Sequence, residues 1–209
     1  MTELFSEIFS TILQIVFFTL IPFIFFLFRK DKSIAFRQYI GLINPTTKSI
    51  VYVLIVALLF VAVGIGMTLM DSGIKQTVMT PPSITGKLKV MGLKTDTILI
   101  LLIIALFKTS LAEELLFRGF IAKQLIKKFN FNIGNLLQAL LFGVVHLILF
   151  WALTKTTFLP LIFIFILTTI AGWTIGYIKE KYANGSIVPG WIAHGIGNVL
   201  SYMIIAFVL

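Results

Sequence analysis

"SLAEELLFRGF", residues 110–120, sets two adjacent glutamates and an arginine inside an otherwise apolar stretch. Whether this stretch crosses a bilayer decides the fold. The chain around it is 59% hydrophobic and only 12% charged over 209 residues, with a mean hydropathy of +1.07, outside the range of a soluble domain. Residues 8–28, 49–70 and 156–178 each supply roughly the 20 apolar residues that cross ~30 Å of hydrocarbon as helix, with no internal charge. Residues 129–154 and 187–209 repeat the pattern with one histidine each, His146 and His194. With 97–126, which carries Lys108 and the charged cluster, the sequence predicts an all-α, polytopic transmembrane bundle of about six spans, one domain over 1–209.

The first run starts near Ile8 behind Glu3 and Glu7, without a basic segment or a small-residue cleavage site, and reads as a retained span. Cysteine is absent, which excludes disulfides and thiolate catalysis. Eleven Lys and Arg flank one side of the predicted spans: Arg29, Lys30, Lys32, Arg37, Lys48, Arg118, Lys123, Lys127, Lys128, Lys179 and Lys181. The other side has five, Lys75, Lys87, Lys89, Lys94 and Lys155, so both termini are expected outside a cell membrane, read as a bacterial plasma membrane from the Lys, Ile, Phe and Asn bias. The formal charge of +9 is explained by insertion and anionic headgroups, and a nucleic-acid partner is not expected.

The loop 71–96 reads as an external linker, with a lid over the bundle as the alternative. Gly172 and Gly176 form a GxxxG read as packing inside the bundle rather than as a dimer face, and Asn184-Gly185 marks a turn. Oligomeric state is not legible.

Ionisable groups inside spans cost a few kcal/mol each and mark functional sites. Here they are Lys108, Glu113, Glu114, Arg118, His146 and His194, joined by Asn135, Gln138 and Asn198. At 1.5 Å per residue, Glu113 (14 residues from Lys127), His146 (14 from Asn132) and Asn198 (14 from Asn184) lie ~21 Å deep, and His194 ~15 Å. Three helices thus bring polar groups to one layer. Glu114 and Arg118, four apart, suit an intrahelical ion pair, which leaves Glu113 as the free carboxylate. Phe142, one turn before His146, can wall that ring from lipid, and His194 and Asn198 share a face. Lys108 reads as an outer-interface marker, and Asn135 and Gln138 as interhelical hydrogen-bonding groups.

A carboxylate in such a pocket, with His146, can take a proton from water that attacks a carbonyl, while His194 and Asn198 donate to the oxyanion. No cofactor is expected. Zinc on Glu113, His146 and His194 is the alternative, disfavoured because HExxH is missing. Taken singly, each of these residues reads as helix packing.

"EELLFR" (Glu113 to Arg118), "FGVVH" (Phe142 to His146) and "HGIGN" (His194 to Asn198) fit EExxxR, FxxxH and HxxxN in order and on separate spans. The sequence resembles the CAAX protease and bacteriocin-processing (CPBP, or Abi) family of membrane endopeptidases over 97–202; residues 1–96, two spans and the external loop, add no motif. The resemblance implies a glutamate-dependent intramembrane endopeptidase, with Glu113 and His146 activating water, His194 and Asn198 forming the oxyanion hole, and Glu114 and Arg118 in support. It also implies a membrane-associated peptide or protein substrate, a role in peptide processing or bacteriocin immunity, and, by analogy with the eukaryotic branch, a site open toward the cytosol. The rival reading is a non-catalytic membrane protein that binds a peptide or an envelope partner. A proton-coupled transporter is disfavoured, since no inverted repeat or broken helix is visible.

Overall fold

The computed structural model describes residues 2–29, 33–154 and 157–209; Lys30, Lys32 and Lys155, used in the charge count, lie outside these. Among the described residues the chain is helical without strands. Five helices are long and apolar enough to cross a membrane: α1 (Thr2–Leu27), α3 (Thr47–Met70), α8 (Phe131–Thr154), α9 (Phe158–Tyr182) and α10 (Val188–Phe207). The short α2 (Phe36–Tyr39) lies between the first two. The sixth predicted span is one continuous helical run, 95–129, built from α6 (Thr95–Ile103), two π-helical segments (Ile104–Leu111 and Glu114–Ile121) and α7 (Ala122–Phe129). No single one of these segments is long enough to span, yet together they run through the bundle.

Local chemistry sets the element ends. Thr46 caps α3 by accepting from the Ser49 N–H at 3.2 Å, and Asn130 takes a positive φ of 92° and accepts from the Ile133 N–H at 3.2 Å, separating α7 from α8. The predicted Asn184-Gly185 turn has both residues at positive φ, 53° and 78°.

The loop 71–96 is mostly helical. Asp71 and Ser83 cap α4 (Ser72–Met79) and α5 (Ile84–Met91), accepting from the N–H groups of Ile74 and Gly86 at 2.7 and 2.9 Å. Leu88 of α5 is buried against Ile100, Leu101, Ile104 and Ala206. The segment is therefore part of the bundle rather than a plain linker, because its spaced apolar residues give each short helix one face to bury.

At the opposite end the chain closes on itself. Ser186 donates to the Ile43 carbonyl at 2.6 Å, the Ile187 N–H to the Gly41 carbonyl at 2.9 Å, and Thr46 to the Tyr182 carbonyl at 2.5 Å. Gly41, at φ 78°, lies so near that a Cβ there would sit 2.6 Å from the Gly185 carbonyl oxygen.

Helices α8 and α9 meet at the GxxxG. Gln138 donates to the Gly172 carbonyl at 2.9 Å and to Asn135 Oδ1 at 3.0 Å, and Asn135 donates to the Trp173 carbonyl at 3.0 Å. The glycines pack inside the molecule, as expected. A Cβ at Gly176 would overlap Asn135 Oδ1, whereas one at Gly66 would meet nothing. Gly176→Ala is expected to cost about 1–3 kcal/mol through overpacking and Gly66→Ala to be neutral or slightly stabilising, checked by thermal unfolding in detergent.

Candidate active site

The two π-helical segments flank Glu113. A π-helix bonds residue i to i+5, which widens the turn and frees carbonyls for side chains. Thr109 donates to the Ile104 carbonyl at 2.9 Å and Ser110 to the Ala105 carbonyl at 2.5 Å, so two hydroxyls take up that widened ladder just before Glu113.

Glu113 and Glu114 reach one imidazole from opposite sides. His194 Nε2 lies 3.9 Å from Glu113 Oε2, and its Nδ1 lies 3.5 Å from Glu114 Oε1. His146, from α8, brings Nε2 to 3.5 Å from the same Glu113 oxygen. Its Nδ1 lies 2.9 Å from the Phe142 carbonyl, which only accepts, so Nδ1 carries a proton and the other nitrogen faces the carboxylate. The structure thus brings Glu113, His146 and His194 together from three elements.

Glu114 and Arg118 are completely buried and form the expected pair, Nη1 to Oε1 at 3.1 Å. The guanidinium lies 4.1 Å from the centre of the Phe142 ring, which also meets His146 at 4.2 Å, tilted by 48°, and Phe117 edge-on at 4.9 Å. Phe142 therefore joins the arginine to the histidine, a larger part than shielding from lipid. Gly190 lets α10 approach: a Cβ there would stand 2.6 Å from Glu114 Oε2.

Asn198 sits one turn along α10 from His194. Its amide donates to Thr109 Oγ1 at 2.9 Å and more weakly to Ser110 Oγ at 3.3 Å. Tyr202, a turn further, also hydrogen-bonds Thr109. Thr109, Ser110 and Tyr202 are neighbours of the site that the sequence motifs do not mark. The spacing Asn198 to Tyr202 is a readable signal, whereas the hydroxyls enter only because the helix is π, which no sequence period announces.

Two lysines depart from expectation. Lys108 pairs with Glu7 of α1 at 2.5 Å and donates to Ser10 at 2.9 Å, so it ties two helices, a role not read from the sequence. Lys179, counted as a loop base, is 1% exposed and paired with Glu180.

A cavity of about 970 Å³ has Glu113, His146, His194, Asn198 and Arg118 at its foot, with largely apolar walls from α3, α9 and α10 such as Phe60, Leu167 and Ile205. Its upper part is lined by Pro81, Lys87, Val90 and Met91. The opening is thus on the side where the glutamate helix begins, while hydrogen bonds between 41–46 and 182–187 close the other end. Among the described residues no group of three or more His, Cys, Asp or Glu is arranged to hold a metal ion.

Comparison with known families matches residues 95–200, just over half of the chain, to the type II CAAX prenyl endopeptidases, Rce1-like. The chain belongs to the Rce1-like family. No curated protein and no solved structure matches it. The matched region runs from the first turn of the glutamate helix to just past Asn198, so it takes in all three motifs. With five helices of spanning length, this Rce1-like chain is a multi-pass membrane protein of a protease family.

Removing one partner of a buried ion pair leaves an uncompensated charge. Arg118→Met is expected to cost about 3–5 kcal/mol, and Glu114→Gln combined with Arg118→Met to recover most of it. Thermal unfolding of both variants in detergent checks the difference.

Proposed function

We propose that this protein is a glutamate-dependent intramembrane endopeptidase that hydrolyses a peptide bond of a membrane-associated peptide or protein without a metal. The observation that carries the reading is the convergence of two imidazole Nε2 atoms on one Glu113 oxygen, at 3.5 and 3.9 Å, at the foot of an apolar cavity.

Water held between Glu113 and His146 loses a proton to the carboxylate and attacks the scissile carbonyl carbon. With Nδ1 of His146 committed to Phe142, its Nε2 accepts a hydrogen bond from the remaining O–H of that water, which turns a lone pair of the water oxygen toward the carbonyl carbon. His194 lies between Glu113 and Glu114, and in this reading its Nε2–H donates to the developing oxyanion. Asn198 has a strong bond to Thr109 and a weak one to Ser110; the second hydrogen is the one it offers when substrate replaces Ser110 as acceptor. Collapse of the tetrahedral intermediate returns the proton from Glu113 to the leaving nitrogen, so no group is consumed. Arg118 pairs with Glu114 and so holds that carboxylate in place beside His194.

The chemistry is hydrolysis of an amide, and the same geometry serves peptide processing and bacteriocin immunity alike. Orientation follows from the basic residues. Without buried Arg118 and Lys179 the count is nine against five, an excess that supports the reading of both termini outside.

The test is cleavage of a lipidated, fluorogenic CAAX peptide in proteoliposomes. Glu113→Gln preserves shape and removes the base; it is expected to lower turnover about 10²–10⁴-fold at unchanged protein content. Retained turnover in this variant contradicts the mechanism. Chelation with 1,10-phenanthroline is expected to leave wild-type turnover unchanged, and loss restored by added zinc overturns the metal-free assignment.

A further inference from the structure

The cavity has one sealed end and one open end, and each belongs to a definite side of the bundle. No residue of 15–55, 119–141 or 176–192 lines it. Those segments contain one end of each of α1, α3, α8, α9 and α10, and in sequence they hold nine of the flanking bases besides buried Lys179. Below the site the interior is filled: Ile178, Lys179, Ala183, Ser186 and Ile187 are each at most 5% exposed. The 41–46 segment is stapled across them by the three hydrogen bonds to 182–187. Water or peptide from that side meets a closed layer.

The other end is different. The lining residues Glu3, Pro81, Lys87 and Val90 are exposed, with Val90 76% exposed, so the cavity meets solvent or headgroups around α5 and the start of α1. Charge asymmetry gives this end the smaller share of bases, five against nine. Spans orient with their excess Lys and Arg in the cytoplasm.

We infer that the substrate reaches Glu113 from the non-cytoplasmic face, past α5, so that the substrate class is a peptide segment held at the outer surface of the membrane rather than one delivered from the cytosol. The apolar wall takes side chains or an acyl chain of that segment, while its backbone descends to the glutamate. The substrate assignment rests on the peptidase reading; the direction of access does not. An extracytoplasmic substrate must be supplied by a preceding export or translocation step, and its product is released outside the cell.

The chain has no cysteine, so single introduced thiols report access cleanly. Val90→Cys at the mouth, Ser201→Cys inside the cavity and Lys127→Cys at the other end are each exposed, in intact cells, to a small sulfonated methanethiosulfonate reagent that does not cross membranes. The expected result is modification of Val90→Cys and Ser201→Cys in intact cells, and of Lys127→Cys only after the membrane is opened. The reverse pattern overturns the proposal. Modification of Val90→Cys with a silent Ser201→Cys overturns the open route while leaving the orientation in place. Labelling needs no turnover, so the outcome is independent of the Glu113→Gln assay, in which the peptidase reading itself stands or fails.

Discussion

The structure depends on keeping a carboxylate and a guanidinium completely out of water inside a membrane bundle. Glu114 and Arg118 manage this with one another, at 3.1 Å, and through the ring of Phe142 under the guanidinium. A buried ion alone is costly, and a buried pair is tolerated when its remaining groups find partners. His194 Nδ1, 3.5 Å from Glu114 Oε1, and the Phe142 ring flank the pair from other helices, while Glu114 Oε2 and Arg118 Nε and Nη2 have no hydrogen-bond partner among the described residues. The ion pair thereby fixes where α8 and α10 sit around the glutamate helix, and so places the neighbouring Glu113 between two imidazoles.

The π-helical run has a related consequence. In an α-helix adjacent residues diverge by about 100°, and Glu113 and Glu114 would face different neighbours. Here Glu113 lies between two π-helical segments, and His194 stands between the two carboxylates, 3.9 Å from Glu113 and 3.5 Å from Glu114. Thr109 and Ser110 stabilise the widening by bonding carbonyls five residues back, and Asn198 holds those hydroxyls from α10. Glycines supply the close approaches: Gly190 makes room for Glu114, and Gly172 and Gly176 let α9 meet the amides of α8. Backbone bonds at one end and two short amphipathic helices at the other then determine which side of the cavity is open.

Much of this was legible in the residues. Long apolar runs define spans because a bilayer demands about 20 such residues, and the six-helix bundle follows. The shared depth of Glu113, His146 and His194 was readable from helical rise, since those residues count from turns marked by Lys127, Asn132 and Asn184. What stayed hidden has physical causes. Residues 71–96 carry enough polar residues to read as loop, and their two helices form by packing on α10 and α6 rather than by propensity alone. Lys179 looks like a flanking base because sequence cannot say that its helix continues into a filled interior. Tyr202 and Thr109 are common residue types whose partnership requires the π geometry.

The account makes Glu113 a base acting on water rather than a structural charge. The most direct test is mass spectrometry of membrane peptides from cells carrying the wild-type chain or Glu113→Gln at equal abundance. The account predicts that one or more uncut peptides accumulate in the variant and that their shorter products disappear. Identical peptide profiles, with the variant normally inserted, would contradict it.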